Sequence, residues 1–171
     1  MLIDVSDQMR AEARFRHLSE ASYEAIFISE RGVCLEQNGA AERMFGYSQE
    51  EAIGRMGNEW IVREDRELVM HHMLAGYEEP YRVTALRKDG TTFPVEIVGR
   101  MMEYEGRKVR VTALRDISAQ LKAEENLRES EERYRSIIQK NHAVMFLIDP
   151  STGDIVDANA AASEFYGWTQ E

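Results

Sequence analysis

The feature that most constrains this chain is an internal repeat. Asn38-Gly-Ala-Ala-Glu-Arg-Met-Phe-Gly-Tyr-Ser-Gln-Glu50 aligns without gaps on Asn159-Ala-Ala-Ala-Ser-Glu-Phe-Tyr-Gly-Trp-Thr-Gln-Glu171, an offset of 121 residues. Phe45/Tyr166, Tyr47/Trp168 and Ser48/Thr169 are chemically alike within it. Upstream, Phe15-Arg16-His17-Leu18 resembles Tyr134-Arg135-Ser136-Ile137 at an offset of 119, so the second copy carries two extra residues, which the Pro150-Ser-Thr-Gly153 turn can absorb. A unit of about 120 residues in a chain of 171 leaves one full copy and the opening of another.

Within the first copy, hydrophobic spacing separates helices from strands. Residues 8 to 22 are charged, with Ala13, Phe15 and Leu18 near helical spacing, and predict an amphipathic helix. Glu24 to Glu30 and Gly32 to Gln37 flank Arg31-Gly32 as a hairpin. Asn38 can cap a short helix to Phe45. Ser48-Gln-Glu-Glu51 has the spacing of a capping box. A longer helix is expected from about Glu64 to Ala75, ended by Gly76. Thereafter the period becomes two: Tyr81, Val83 and Ala85 form one strand face, and Lys88-Asp89-Gly90 supplies a turn. Val95, Ile97 and Gly99 continue that face, with Pro94 suggesting an exposed or edge position for its missing N–H. Val109, Val111 and Ala113 are expected to form the inward face of the last strand. From Ser118 to about Ile138, Glu, Lys, Arg and Ala dominate, with Leu127, Ser130, Tyr134 and Ile137 roughly at a/d spacing, which predicts a linker helix. The expected fold class is α+β: a five-stranded antiparallel sheet with short helices on one face, flanked by N-terminal and C-terminal helices.

Composition narrows the function. Lys plus Arg number 21 against 31 for Asp plus Glu, a net charge of −10, which argues against nucleic acid as a partner. No apolar run approaches the roughly 18 residues of a membrane span, and the start lacks the basic and apolar regions of a secretory signal. The single cysteine, Cys34, allows no internal disulfide, so a cytoplasmic location is expected. No phosphate loop, His-Glu-x-x-His, Cys-x-x-Cys or Gly-x-Ser-x-Gly is present, so an enzyme is not expected.

Four stretches in this order resemble the PAS, or sensory-box, family: Asn38 to Glu51, Arg87-Lys-Asp-Gly-Thr-Thr-Phe-Pro-Val-Glu96, Arg115-Asp-Ile-Ser118 and Leu127-Arg-Glu-Ser-Glu-Glu-Arg-Tyr-Arg135. Glu64-Asp65-Arg66 is similar to the family's His-Pro-Asp-Asp-Arg stretch, with Val62-Arg63 in place of His-Pro. The resemblance implies an N-terminal helix over residues 1–14, a PAS domain over 15–117, a helical linker over 118–138 and an incomplete second PAS domain over 139–171. It also implies a sensory input module for signal transduction, as in two-component systems. Such a module binds a small-molecule ligand or dimerises through its N-terminal and linker helices. It passes the signal through its exit helix to an output domain such as a histidine kinase or diguanylate cyclase. The alternative is a ligand-free dimerisation and spacer module.

For the site, the resemblance implies a pocket lined by Ile28, Met44, Phe45, Val69, His72, Met73, Val83, Ala85, Ile97 and Val111, with Ile26 and Ala113 beside them. Gln37 stands where relatives carry an apolar residue; its carboxamide either bonds a ligand or bonds local backbone. Asp116 and Ile117 are expected to couple sheet to exit helix, Asp116 also suiting a helix N-terminus. The cofactor is left open, with haem and flavin both disfavoured. His72 lies near Leu68 and Val69 on the helical wheel, but the haem-ligand position of the oxygen-sensing relatives falls nearer Asp65. Light-sensing relatives need an Asn-Cys-Arg-Phe-type motif where this chain reads Gly57-Asn-Glu-Trp-Ile61, and Cys34 reads as a small apolar core group.

Overall fold

The computed structural model describes residues 23–104 and 106–167, so the expected N-terminal helix lies outside the described residues. Two compact units divide at Ala119/Gln120. In the first, strands β1 (Ala25–Glu30), β2 (Val33–Gln37), β3 (Tyr81–Leu86), β4 (Thr92–Tyr104) and β5 (Arg107–Asp116) form one antiparallel sheet in the order β2-β1-β5-β4-β3. Between β2 and β3 run α1 (Gly39–Phe45), α2 (Gln49–Ala52), two 3₁₀ turns (Gly57–Trp60 and Arg63–Asp65) and α3 (Arg66–Ala75). This is the expected α+β arrangement.

Local chemistry starts and stops each element. The β1–β2 turn has positive φ at both Arg31 and Gly32, the geometry that matches the twist of a two-residue hairpin. Asn38 caps α1 by accepting from the Ala41 N–H, and Ser48 and Glu51 form a complete capping box on α2. The helical connection also covers both sheet edges, whose free N–H and C=O groups would otherwise template pairing with another chain. Along β2, the Cys34 and Gly57 N–H groups donate to Arg55 and Gly32 carbonyls, each at 2.8 Å. Along β3, the Val62 N–H donates to Thr84 O and the Thr84 N–H donates to Asp65 Oδ2 at 2.8 Å. The 3₁₀ turn at Arg63–Asp65 is tied to β3 in this way, and the regular helix begins at Arg66, two residues later than periodicity suggests. Pro94 is not on an edge strand. It precedes the first β4–β5 pair, Val95 with Asp116, so its missing N–H removes no bond from that ladder.

The core lies between the sheet and this helical layer. Phe27, Phe45, Trp60 and Phe93 form its aromatic centre, with Phe27–Trp60 centroids 4.8 Å apart and Phe45–Phe93 5.5 Å apart. Strand parity corrects the expected inward faces of β1 and β5. Ala25, Phe27 and Ser29 face the helices, opposite Leu114, Thr112 and Arg110, whereas Ile26 and Ile28 pair with Ala113 and Val111 on the other face. β1 is apolar at four successive positions, so a period of two cannot choose its face, and cross-strand register decides.

The second unit holds most of α4 (Ser118–Lys140), then β6 (Phe146–Ile148), β7 (Ile155–Ala158) and α5 (Ala160–Tyr166). Its hairpin repeats the first in detail. Both ladders shift register at the same place, between Ile28/Ser29 and between Leu147/Ile148. Asn38 Oδ1 accepts from Ile26 and Ala41 N–H, and Asn159 Oδ1 from Met145 and Ala162 N–H. Partners before the turn are offset by 119 and those after it by 121. The two extra residues are therefore in the second hairpin's turn.

Candidate functional site

Between the inner sheet face and the helical layer lies a cavity of about 30 Å³. Phe27, Ser29 and Cys34 come from β1 and β2, and Gly57, Trp60 and Ile61 from the first 3₁₀ turn and the residue after it. Val69 and Met73 come from α3, and Tyr81, Ile97, Thr112 and Leu114 from β3, β4 and β5. A Cβ on Gly57 would come within 2.9 Å of Met73 Cε, so a larger residue there would make the end of that flexible side chain shift.

The cavity is apolar except for a few groups. Ser29 Oγ donates to Arg110 O at 3.4 Å. Trp60 Nε1 and Thr112 Oγ1 are buried with no hydrogen-bond partner among the described residues. Burial pushes the Cys34 thiol up to about 11, so it is protonated and unreactive. Burial likewise raises the Tyr81 phenol above its ordinary value.

Of the pocket residues expected from sequence, Val69, Met73 and Ile97 line this cavity. Phe45, Val83 and Ala85 are buried in the adjoining core, with Met44 packed against it. Ile28 and Val111 stand on the opposite face of the sheet, for the parity reason given above. Gln37 is buried at the end of β2, where Nε2 donates to Tyr47 O at 2.7 Å and Oε1 has no partner among the described residues. Its carboxamide is thus engaged by local backbone, away from the cavity wall. His72 is also outside the cavity: its ring stacks on Tyr77 at 4.1 Å and meets the edge of Tyr81 at 4.4 Å. Burial, then the neighbouring His71 and Arg110 charges, hold His72 below its usual value. Asp65, nearest the haem-ligand position, has its carboxylate engaged by β3. Among the described residues no histidine lines the cavity. Sequence reasoning missed Phe27, Ser29, Cys34, Gly57, Trp60, Ile61, Tyr81, Thr112 and Leu114 as cavity residues. Trp60 and Thr112 carried no signal, because only the fold gives their polar atoms a buried position.

At the exit of the sheet, Asp116 Oδ1 accepts from the Ser118 N–H at 2.9 Å, capping α4, while Oδ2 pairs with Arg87 Nη2 at 3.2 Å. Burial raises the Asp116 carboxyl, but the Ser118 and Arg87 contacts outweigh it and hold the group below its ordinary value. Arg87 lies over the Phe93 ring at 3.6 Å and donates Nη1 to Met44 O. It therefore ties α1, the β3–β4 hairpin and the start of α4 together. Ile117 is buried, its N–H donating to Pro94 O at 3.1 Å.

This layout matches known proteins. A family model described as PAS domain matches residues 24–119, and one described as PAS fold matches residues 132–171. The chain is 27% identical to the methyl sulfide methyltransferase-associated sensor of Methanosarcina acetivorans over 80% of its length, and 27% identical to the oxygen sensor protein DosP of Escherichia coli over 90%. It spans only 14% and 20% of those two proteins. Among solved structures, the PAS domain of an HTR-like protein from Haloarcula marismortui superposes with a TM-score of 0.57 at 26% identity, covering 66% of this chain and 96% of that one. The sheet order, the helical layer on one face and the residues matched together make this chain a member of the PAS family of sensory domains.

Proposed function

We propose that residues 24–119 are the ligand-sensing input module of a signalling protein, and that occupancy of the cavity biases the start of α4 through β5 and Asp116. The observation that carries this reading is a mostly apolar cavity two of whose lining residues, Trp60 and Thr112, each have a buried polar atom, Nε1 and Oγ1, with no partner among the described residues. A buried donor without a partner costs about 1–3 kcal/mol, and a ligand that bonds these atoms would relieve that cost. Leu114 lines the same cavity two residues before Asp116, so a change in cavity packing is one strand step from the Arg87–Asp116 contact. A ligand shifts this equilibrium only by its differential affinity for the two arrangements.

The module acts in the cytoplasm, without catalysis of its own, and delivers its signal to an output domain such as a histidine kinase or diguanylate cyclase. Among the described residues no helix is long and apolar enough to cross a membrane. Native mass spectrometry of the purified chain, with its absorption spectrum, tests the reading. A retained small molecule that slows hydrogen exchange across Ser118 to Leu127 supports it. An empty cavity, and exchange in α4 that no added small molecule alters, would leave the ligand-free dimerisation and spacer module, a reading favoured by the exposed Leu127, Tyr134 and Ile137 on α4.

A further inference from the structure

The cavity wall carries no ionised group. Among the described residues no Asp, Glu, Lys, Arg or His lines it. Phe27, Trp60, Ile61, Val69, Ile97 and Leu114 make it largely apolar, and its remaining polar members are neutral at physiological pH. Ser29 and Thr112 bring hydroxyls, the first already donating to Arg110 O. Burial keeps the Cys34 thiol and the Tyr81 phenol protonated. An ion entering this space would give up its hydration with no opposite charge in the wall to replace it. An uncharged molecule meets no such penalty and gains by taking its apolar surface out of water.

Size is set as closely as charge. A volume of about 30 Å³ accommodates roughly two water-sized groups, so the space suits a molecule of few heavy atoms. One wall member is different in kind from the rest: Met73 is half-buried, so the side chain that lines the cavity also reaches the surface. It is unbranched, with three rotatable bonds, and methionine adapts readily to irregular space. Its methyl group lies over Gly57 and Gly32, 2.9 and 3.5 Å from where a Cβ would stand on each, and the ends of Met56 and Met70 meet it over Gly32. The two glycines leave this thioether room to move between cavity and solvent. We infer that the ligand is a small, uncharged, largely apolar molecule, and that Met73 sets the size admitted. This rests on the reading of the domain as a ligand sensor.

Acetone, acetate and acetamidinium share one shape and differ in charge, and they are the probes, titrated into the full chain at constant ionic strength. The readout is the indole N–H resonance of Trp60, one of two tryptophans in the chain, assigned with Trp168→Phe. Acetone is expected to shift it saturably, and acetate and acetamidinium to leave it in place. The larger 3-pentanone should bind Met73→Ala about tenfold more tightly than wild type, since each methylene accommodated in an apolar pocket is worth about that factor or more. An equal response to acetone and to either ion overturns the uncharged assignment, and that comparison needs only the wild-type chain, so it stands even where Met73→Ala does not fold. Acetone binding with the same preference between acetone and 3-pentanone in both chains overturns the role of Met73 alone. An ionic molecule retained by the purified chain in native mass spectrometry overturns the ligand class and leaves the sensor reading standing. An empty cavity together with no response to any probe overturns the sensor reading as well.

Discussion

Asp116 joins two tasks in one carboxylate: it caps α4 through Ser118 and holds Arg87, which itself reaches α1. Asp116→Ala should leave the sheet intact but destabilise the chain by roughly 0.5–2 kcal/mol, the range for a lost helix cap, with faster hydrogen exchange confined to the start of α4. Because the folded carboxyl is held below its ordinary 3.8, its contribution is fully present above that pH and is lost as pH falls through the lower folded value. Asp116→Asn should therefore flatten the acid limb of a stability-against-pH curve below about pH 4 and leave the neutral limb unchanged in slope. Cys34 provides a second check at this scale. With its thiol pushed up to about 11 by burial, it should resist iodoacetamide at pH 8 in the folded chain and react on unfolding.

At the scale of elements, one asparagine closes each hairpin onto the helix that follows. Asn38 accepts from Ile26 and Ala41 and donates to Glu24 O, and Asn159 makes the corresponding set with Met145, Ala162 and Ala143. Asn38→Ala loses a cap and two further part-buried bonds, so it should cost roughly 2–3 kcal/mol by chemical denaturation. Asn159→Ala should instead raise amide exchange in β6, β7 and α5 and leave β1 to β5 unaffected. The asparagines were visible in the sequence as the first residue of each repeat, because a cap is a local contact between positions three apart. Their bonds back to the preceding strand were not, since those partners lie twelve to sixteen positions away.

For the whole molecule, two units imply two unfolding steps, and the largely exposed hairpin of the second should open first. Limited proteolysis is expected to cut early after Lys140 and leave a stable fragment; equal protection on both sides of that residue would count against separate units. Exposed Leu127, Tyr134 and Ile137 on α4 predict a homodimer, which Leu127→Glu with Ile137→Glu should convert to monomer in sedimentation velocity. By itself the sequence determined what depends on near neighbours and on self-similarity. The repeat, the caps, the turns and the alternating faces of β3 and β4 all follow from residues a few positions apart, and their order specified the α+β fold. Tertiary structure alone decided which face of β1 and β5 looks inward, because β1 is apolar on both sides and only its pairing with β5 selects Phe27 over Ile28. It also decided that Gly99 makes room for Arg110 and that Trp60 and Thr112, each with a partnerless buried polar atom, line one cavity. Those groups are far apart along the chain, and their burial and missing partners exist only once the sheet and the helical layer have closed over them.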